Sequence, residues 1–157
     1  MNATDPAVAR RGAVALFQDS RKELLSAING LSPEQMSAPA LDDWSAKDLL
    51  AHIASWEEHV VSDLARVQRG HVPALAAFQE SDVNTWNGLL VGLRRAFPLE
   101  QVIFEFNHCR TALLDALGSL DDSAFASGYV PSTLAICAWH DKEHAGHIRA
   151  WREREGI

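Results

Sequence analysis

Apolar residues recur along most of the chain at the three- and four-residue spacing of an amphipathic helix, and no strand-like alternation persists. The first such stretch is predicted to begin at Asp5, which caps a following proline, and to end before Gly30. The second is predicted to begin near Ser45, with that serine or Asp43 as its cap, and to continue to Gly70. Between them, "SPEQ" has the pattern of a capping box for a short turn, and "ALDDW" is predicted to be a loop.

The second half of the chain shows the same periodicity. A shorter helix over "SDVNTWNGLLVGLRRAF", weakened by two glycines, is predicted to end before Pro98. A third long helix is predicted from Pro98 to just before Gly118, followed by the loop "GSLDDSAFASGYVPS", which contains a candidate short turn. The last long helix is predicted to begin near Pro131 or Ser132 and to continue almost to the end. Four long amphipathic helices, with an extra short helix between the second and third, predict an all-α four-helix bundle.

Composition narrows the classes of function. A chain of 157 residues predicts a single domain over 1–157 that can bury a sizeable core. The formal net charge of -7 argues against nucleic-acid binding, which needs a basic patch. Arg10, Arg11, Arg21 and Lys22 lie close in sequence, but they are predicted to belong to a solvated helix surface. The apolar runs are far shorter than the ~20 residues of a membrane span, and no signal-peptide core precedes the first helix. Two cysteines without a secretory context favour a reduced, cytoplasmic setting.

The stretch "WHDKEHAGHIRAW" carries the candidate chemistry. His140 and His144 lie four residues apart, so on a helix both imidazoles face the same side and can bind one metal ion. The sequence H-D-K-E-H differs from the zinc-protease motif, because Glu143 directly precedes the second histidine. A third ligand must come from another helix, and His52, beside the apolar stripe of the second helix, is the best candidate.

Other assignments of these residues remain open at this stage. His147 follows His144 by three residues, so His144 and His147 could be the ligand pair instead of His140 and His144. Cys137 precedes His140 by three residues and could ligate zinc as a thiolate, although a free cysteine among apolar neighbours is usually core. His59, two turns beyond His52, is predicted to be solvated. Histidines at helical spacing are also common without any metal.

Two stretches resemble the signatures of the DinB-like family. In "WSAKDLLAHIASWEEH" a Trp-Ser helix start leads to a histidine, which is His52. In "HDKEHAGHIRAW" a pair of histidines four residues apart, His140 and His144, is followed by Ile148 and Trp151. The intervening "ESDVNTWN" is similar to the segment that enters the middle helix of the family. The resemblance extends from about residue 13 to residue 151.

The resemblance implies a four-helix bundle, often of up-down-down-up topology, with a divalent ion, nickel or zinc, bound by His52, His140 and His144. Members of the family are often homodimers, and the family name does not imply DNA binding. Some relatives are S-transferases or isomerases that use mycothiol or bacillithiol, and a neighbouring branch contains a hydrolase. The resemblance therefore implies a small-molecule substrate, in some members a low-molecular-weight thiol.

Two functional hypotheses follow. Three imidazole ligands leave coordination positions open, as in catalytic sites, and this favours a metal-dependent enzyme, either a thiol-dependent S-transferase or a hydrolase. The alternative is a binding or structural module in which the ion clips the helices together. Around the ion, Glu143 or Asp48 is a candidate general base or orienting group, and Trp56, Trp86 and Trp139 are candidate pocket walls. His147 is a candidate neighbour of the ligands.

Overall fold

The computed structural model describes residues 5–157, so the first four residues of the predicted domain lie outside the described range. Seven α-helices lie within residues 5–157: α1 Pro6–Ile28, α2 Pro33–Ser37, α3 Ala46–Val67, α4 Glu80–Arg94, α5 Leu99–Ser119, α6 Asp122–Phe125 and α7 Tyr129–Glu155. Two short strands, β1 Pro39–Leu41 and β2 Trp44–Ser45, pair antiparallel, and a 3-10 turn covers Leu75–Ala77. The helices α1, α3, α5 and α7 are the four long ones. The all-α bundle and its extra short helix, α4, are confirmed.

Local differences from the predicted boundaries have physical reasons. The "ALDDW" segment is a tight ribbon rather than a loop, and Asp42 turns the chain in the left-handed region at φ 51°. Helix α7 begins at Tyr129, before the predicted start, because Pro131 falls in the first turn, where backbone N–H groups have no helical partner.

Within residues 5–157 no helix combines the length and apolar character that crossing a bilayer requires.

The start of α3 is fixed by a reciprocal cap. The Ser45 hydroxyl accepts a hydrogen bond from the backbone N–H of Asp48 at 3.1 Å, and the Asp48 carboxylate accepts one from the backbone N–H of Ser45 at 3.0 Å. Both residues are buried. The cap therefore sets the point from which α3 carries His52 into the bundle.

Contacts between helix ends define the direction of each helix. Arg152, near the end of α7, donates to the carbonyls of Ala27 and Asn29 at the end of α1, at 2.9 Å each, so these two helices are parallel. Arg10, near the start of α1, donates to the Leu120 carbonyl after the end of α5 at 2.8 Å, so α1 and α5 are antiparallel.

Two buried apolar clusters fill the bundle and complete the topology. One cluster joins Leu24, Leu49, Phe106 and Ile148 with their neighbours. The other joins Phe17, Leu64, Leu113 and Leu134 with theirs. From the first cluster to the second, residue numbers fall along α1 and α7 but rise along α3 and α5. The order is therefore up-down-down-up, with two parallel pairs of neighbouring helices.

A buried layer of charge separates the two clusters. It consists of Arg21, Glu57, Arg110 and Asp141, one from each long helix, and is called the charge quartet below. Arg21 contacts Glu57 at 2.7 Å and Asp141 at 3.2 Å. Arg110 contacts Asp141 at 2.8 Å and also binds Glu57. Two guanidinium groups thus meet two carboxylates in the centre of the bundle, at the level where α7 presents His140.

Candidate metal centre

Three histidines from two helices converge beside the charge quartet. The Nε2 atom of His140 lies 2.7 Å from Nε2 of His52 and 2.9 Å from Nε2 of His144. One ligand atom from each ring lies within 4.8 Å of the other two. His52 and His144 are buried, and His140 is half-buried. The structure therefore brings together the three histidines that the sequence singles out.

The convergence follows from helix geometry and from the bundle core. His140 and His144 are one turn apart on α7, so their rings project from the same face. His52 projects from α3 towards that face. The charge quartet joins the same two helices through Glu57 on α3 and Asp141, which directly follows His140 on α7. These buried bonds hold the two helices at the level of the histidines.

All three imidazoles are held in the neutral form. Burial, followed by the neighbouring His140, lowers the pKa of His52 to about 3. Burial lowers the pKa of His140 to about 4. Burial, together with the surrounding histidine rings, lowers the pKa of His144 to about 2. Because a neutral imidazole is the form that binds metal, the site is prepared for an ion at neutral pH.

The donor set fits a divalent ion better than a hydrogen-bonded network. The Nε2 atom of His140 has a single in-plane lone pair or proton, so it cannot form good hydrogen bonds to both His52 and His144. One cation accepts all three lone pairs at once. Nitrogen ligands about 2.0–2.1 Å from a common ion lie roughly 3 Å apart, close to the observed separations.

His147, the rival ligand, contacts His144 through the opposite ring nitrogen. The two Nδ1 atoms are 3.3 Å apart, whereas the convergent cluster uses Nε2. If Nδ1 of His144 carries the proton and donates it to His147, the Nε2 lone pair of His144 is free for a metal. His147 therefore lies where it can fix the tautomer and orientation of a ligand.

His52 is oriented mainly by aromatic packing. Its ring centroid lies 5.1 Å from that of Trp44 and 6.5 Å from that of Trp56, both in edge-to-face geometry. Its Nδ1 atom is buried and has no hydrogen-bond partner within residues 5–157. The two tryptophans thus constrain the orientation of the His52 ring by packing.

Cys137, the other rival, lies near the histidines but outside their cluster. It is buried, and burial raises the pKa of its thiol to about 12. The ligand atoms that lie within 4.8 Å of one another come from His52, His140 and His144, and Cys137 is not among them.

A cavity of about 690 Å³ opens above the three histidines, between α3, α4 and α7. Of the predicted neighbours, Glu143, Trp56, Trp139 and His147 line it, whereas Asp48 and Trp86 do not. Glu143 is half-buried, and Trp139 lies at the rim with 58% of its surface exposed. The indole N–H of Trp56 donates to the Asn87 side-chain oxygen at 2.8 Å, which ties α3 to α4.

Several wall residues were missed by sequence reasoning. They come from the ribbon, from the segment between α3 and α5, and from the start of α7: Trp44, Leu75, Phe78, Val83, Asn87 and Tyr129. The segment between α3 and α5 has an irregular start and a short amphipathic helix. Its sequence does not show which part of the bundle it will cover.

The fold and the site together define a four-helix bundle with a buried three-histidine cluster beneath a cavity. A sequence profile of the DinB superfamily matches residues 16–148, and the chain belongs to this superfamily. A Bacillus licheniformis protein described as "Putative metal-dependent hydrolase" is 28% identical over 146 residues, covering 85% of this chain and 79% of that protein. An uncharacterised protein from Escherichia coli UTI89 has the same fold, with a TM-score of 0.80, 14% identity, and coverage of 94% of this chain and 95% of that one.

The lowered histidine pKa values make the metal-free protein sensitive to mild acid. At pH 6.5 and below, the unfolded chain binds protons at its histidines, whereas the folded site, with pKa values of about 2 to 4, does not. The contribution of these histidines to stability is therefore complete above pH 6.5 and is lost as the pH falls towards the folded values. The free energy of unfolding should fall by up to about 1.4 kcal/mol per pH unit for each such histidine.

Urea unfolding in the presence of a chelator at pH 7, 6 and 5 measures this dependence. The double variant His140→Asn/His144→Asn should flatten it, and His71→Asn, at an exposed loop position, should leave it unchanged. A profile that is equally steep in the double variant would assign the acid sensitivity to other groups.

Proposed function

We propose that this protein is a metal-dependent hydrolase of small molecules in which His52, His140 and His144 hold one divalent ion. The observation that carries the proposal is the convergence of three neutral Nε2 atoms at the floor of a cavity large enough for a small molecule. The description of the Bacillus licheniformis relative supports the hydrolytic class.

The ligand set favours zinc or nickel and an open site. Imidazole ligands suit both metals. Structural zinc sites usually have four protein ligands, whereas catalytic sites have three and leave room for water or substrate. Within residues 5–157 the cluster has three members, and neither Cys137 nor His147 joins it. These features support an enzyme over a metal clip.

Residues around the cluster can support hydrolysis. A divalent ion held by the three histidines would supply a Lewis acid that activates water. Glu143 directly precedes His144 and lines the cavity, so its carboxylate can accept the proton of the attacking water and return it to the leaving group. Trp56 and Trp139 line the cavity beside the histidines, and His147 can orient His144 through the contact between their Nδ1 atoms.

The proposal is tested with tag-free protein, stripped of metal and reloaded with zinc or nickel, on a panel of p-nitrophenyl esters and anilides. Hydrolysis should require the metal. Glu143→Gln should lower kcat by about 10²- to 10⁴-fold while metal content is retained, because a general base has been removed. Glu153→Gln, at an exposed position on the same helix, is the matched control.

Two results would overturn this assignment. If no compound of the panel shows metal-dependent turnover, the alternative is favoured, in which the ion holds the helices together without catalysis. Turnover that appears only when a low-molecular-weight thiol is added would assign an S-transferase, the other activity that the family resemblance implies.

A further inference from the structure

The cavity above the histidines has a polar floor and a largely apolar wall. Glu143 and the histidines form the floor. The wall is made of aromatic and aliphatic side chains from α3, the 3-10 turn, α4 and α7: Trp56, Val60, Leu75, Phe78, Val83 and Ile136. No lysine or arginine within residues 5–157 lines the cavity, and Glu143 is its one carboxylate in that range.

Two of the polar groups on the wall are already engaged. The hydroxyl of Tyr129 donates to the Asp63 carboxylate at 2.8 Å. The side-chain oxygen of Asn87 accepts from Trp56. A charged substituent that entered the upper cavity would lose water and find no cation there to replace it. The net charge of -7 and the Glu143 carboxylate disfavour anions further.

We propose that the substrate is a neutral, mainly hydrocarbon ester or amide. This inference rests on the proposed hydrolase function and names its substrate class. The acyl carbonyl faces the histidines, and the apolar part lies between Trp56, Phe78 and Ile136. In the reaction, water oxygen bonds to the acyl carbon and the acyl C–O or C–N bond breaks. The leaving group takes a proton, giving an acid and an alcohol or amine.

Two dyes that share one ring system test the ligand class without metal or turnover. N-phenyl-1-naphthylamine is neutral, and 1-anilinonaphthalene-8-sulfonate is the same molecule with an anionic group. The metal-free protein should bind the neutral dye at least about tenfold more tightly, because the wall offers no cation to the sulfonate. Fluorescence titration gives both dissociation constants.

A matched pair of variants locates the binding. Ile136 lines the cavity and is 63% exposed, whereas Leu93 on α4 is 60% exposed and lies outside the lining. Ile136→Arg should raise the affinity for the anionic dye relative to the neutral one by about tenfold, since it adds a cation to the wall. Leu93→Arg should change this ratio less than about twofold, because its charge lies outside the cavity lining and is screened by solvent.

Equal or tighter binding of the anionic dye to the unmodified protein would overturn the inference. So would a ratio that Ile136→Arg leaves unchanged, with circular dichroism showing both variants folded.

Failure of this inference is distinguishable from failure of the proposed function. With the metal-loaded enzyme, p-nitrophenyl pentanoate should be hydrolysed with a kcat/KM at least about tenfold above that of mono-p-nitrophenyl glutarate, which ends in a carboxylate. Neutral-dye binding without hydrolysis of any ester would reject the hydrolase and keep the ligand class. Hydrolysis that prefers the glutarate would keep the hydrolase and reject the ligand class.

Discussion

Replacing His52, His140 or His144 with alanine should remove most of the bound metal from tag-free protein. With one of the three convergent nitrogens gone, two imidazoles remain, and two ligands do not retain an ion through dialysis. His147→Ala should weaken binding by about 10- to 100-fold, the effect of losing a group that orients a ligand. Metal analysis after dialysis against a weak chelator measures each effect.

His59→Ala and His71→Ala are the controls, because neither side chain belongs to the cluster. Both should retain metal at the level of the unmodified protein. Full retention in the His52 variant would show that α3 does not supply the third ligand. Greater loss in the His147 variant than in the His144 variant would make His147 the ligand.

Breaking the charge quartet should destabilise the protein by about 3–5 kcal/mol. Glu57→Ala leaves Arg21 and Arg110 buried with Asp141 as the remaining carboxylate of the quartet. The loss comes from this uncompensated buried charge. Urea unfolding at pH 7 measures the change in free energy, and Asp19→Ala, in an exposed ion pair with Lys22, should change it by less than about 1 kcal/mol.

A quadruple variant tests whether the charge quartet stabilises the fold or only compensates for the cost of its own burial. Replacing Arg21 and Arg110 with methionine, and Glu57 and Asp141 with leucine, removes every charge of the layer together. Because the cost of desolvating four charges disappears, stability should be equal to or higher than that of the unmodified protein. A loss as large as that of Glu57→Ala would mean that the quartet stabilises the fold beyond compensating its own burial.

The sequence predicted the long helices and singled out the three histidines that the structure brings together, but it did so for different reasons. Apolar periodicity and caps such as Ser45 are local signals, so they predict helices without knowledge of the neighbours. The spacing of His140 and His144 is also local. His52, however, was chosen because it adjoins an inward stripe and because the family signature contains it.

The charge quartet left a signal in the sequence, although Arg21 was predicted to lie on a solvated helix surface and is buried. Arg21 lies four residues after Phe17 and three before Leu24, on the apolar stripe of α1. Glu57 has the same relation to Ile53 and Val60 on α3. A charge within an apolar stripe predicts a buried partner. Its identity requires the packing of all four helices.

The cavity wall lacked a comparable signal, because it depends on the path of the chain between elements. The burial of His59 could not be predicted from the sequence either. His59 was predicted to be solvated, but its ring packs 4.9 Å from that of Trp86, and the side chain is half-buried. Trp86 belongs to α4, and periodicity on α3 carries no information about where α4 will lie.

The up-down-down-up order requires a long connection between α3 and α5. Because α3 and α5 are parallel, the chain must return along the whole bundle between them, and residues 68–98 make this return. That segment supplies Leu75, Phe78, Val83 and Asn87 to the wall, whereas the three histidines belong to α3 and α7. The part of the chain that shapes this side of the cavity is thus separate from the part that holds the candidate ligands. Changes in the return segment can therefore alter which molecules fit while the histidine floor stays the same.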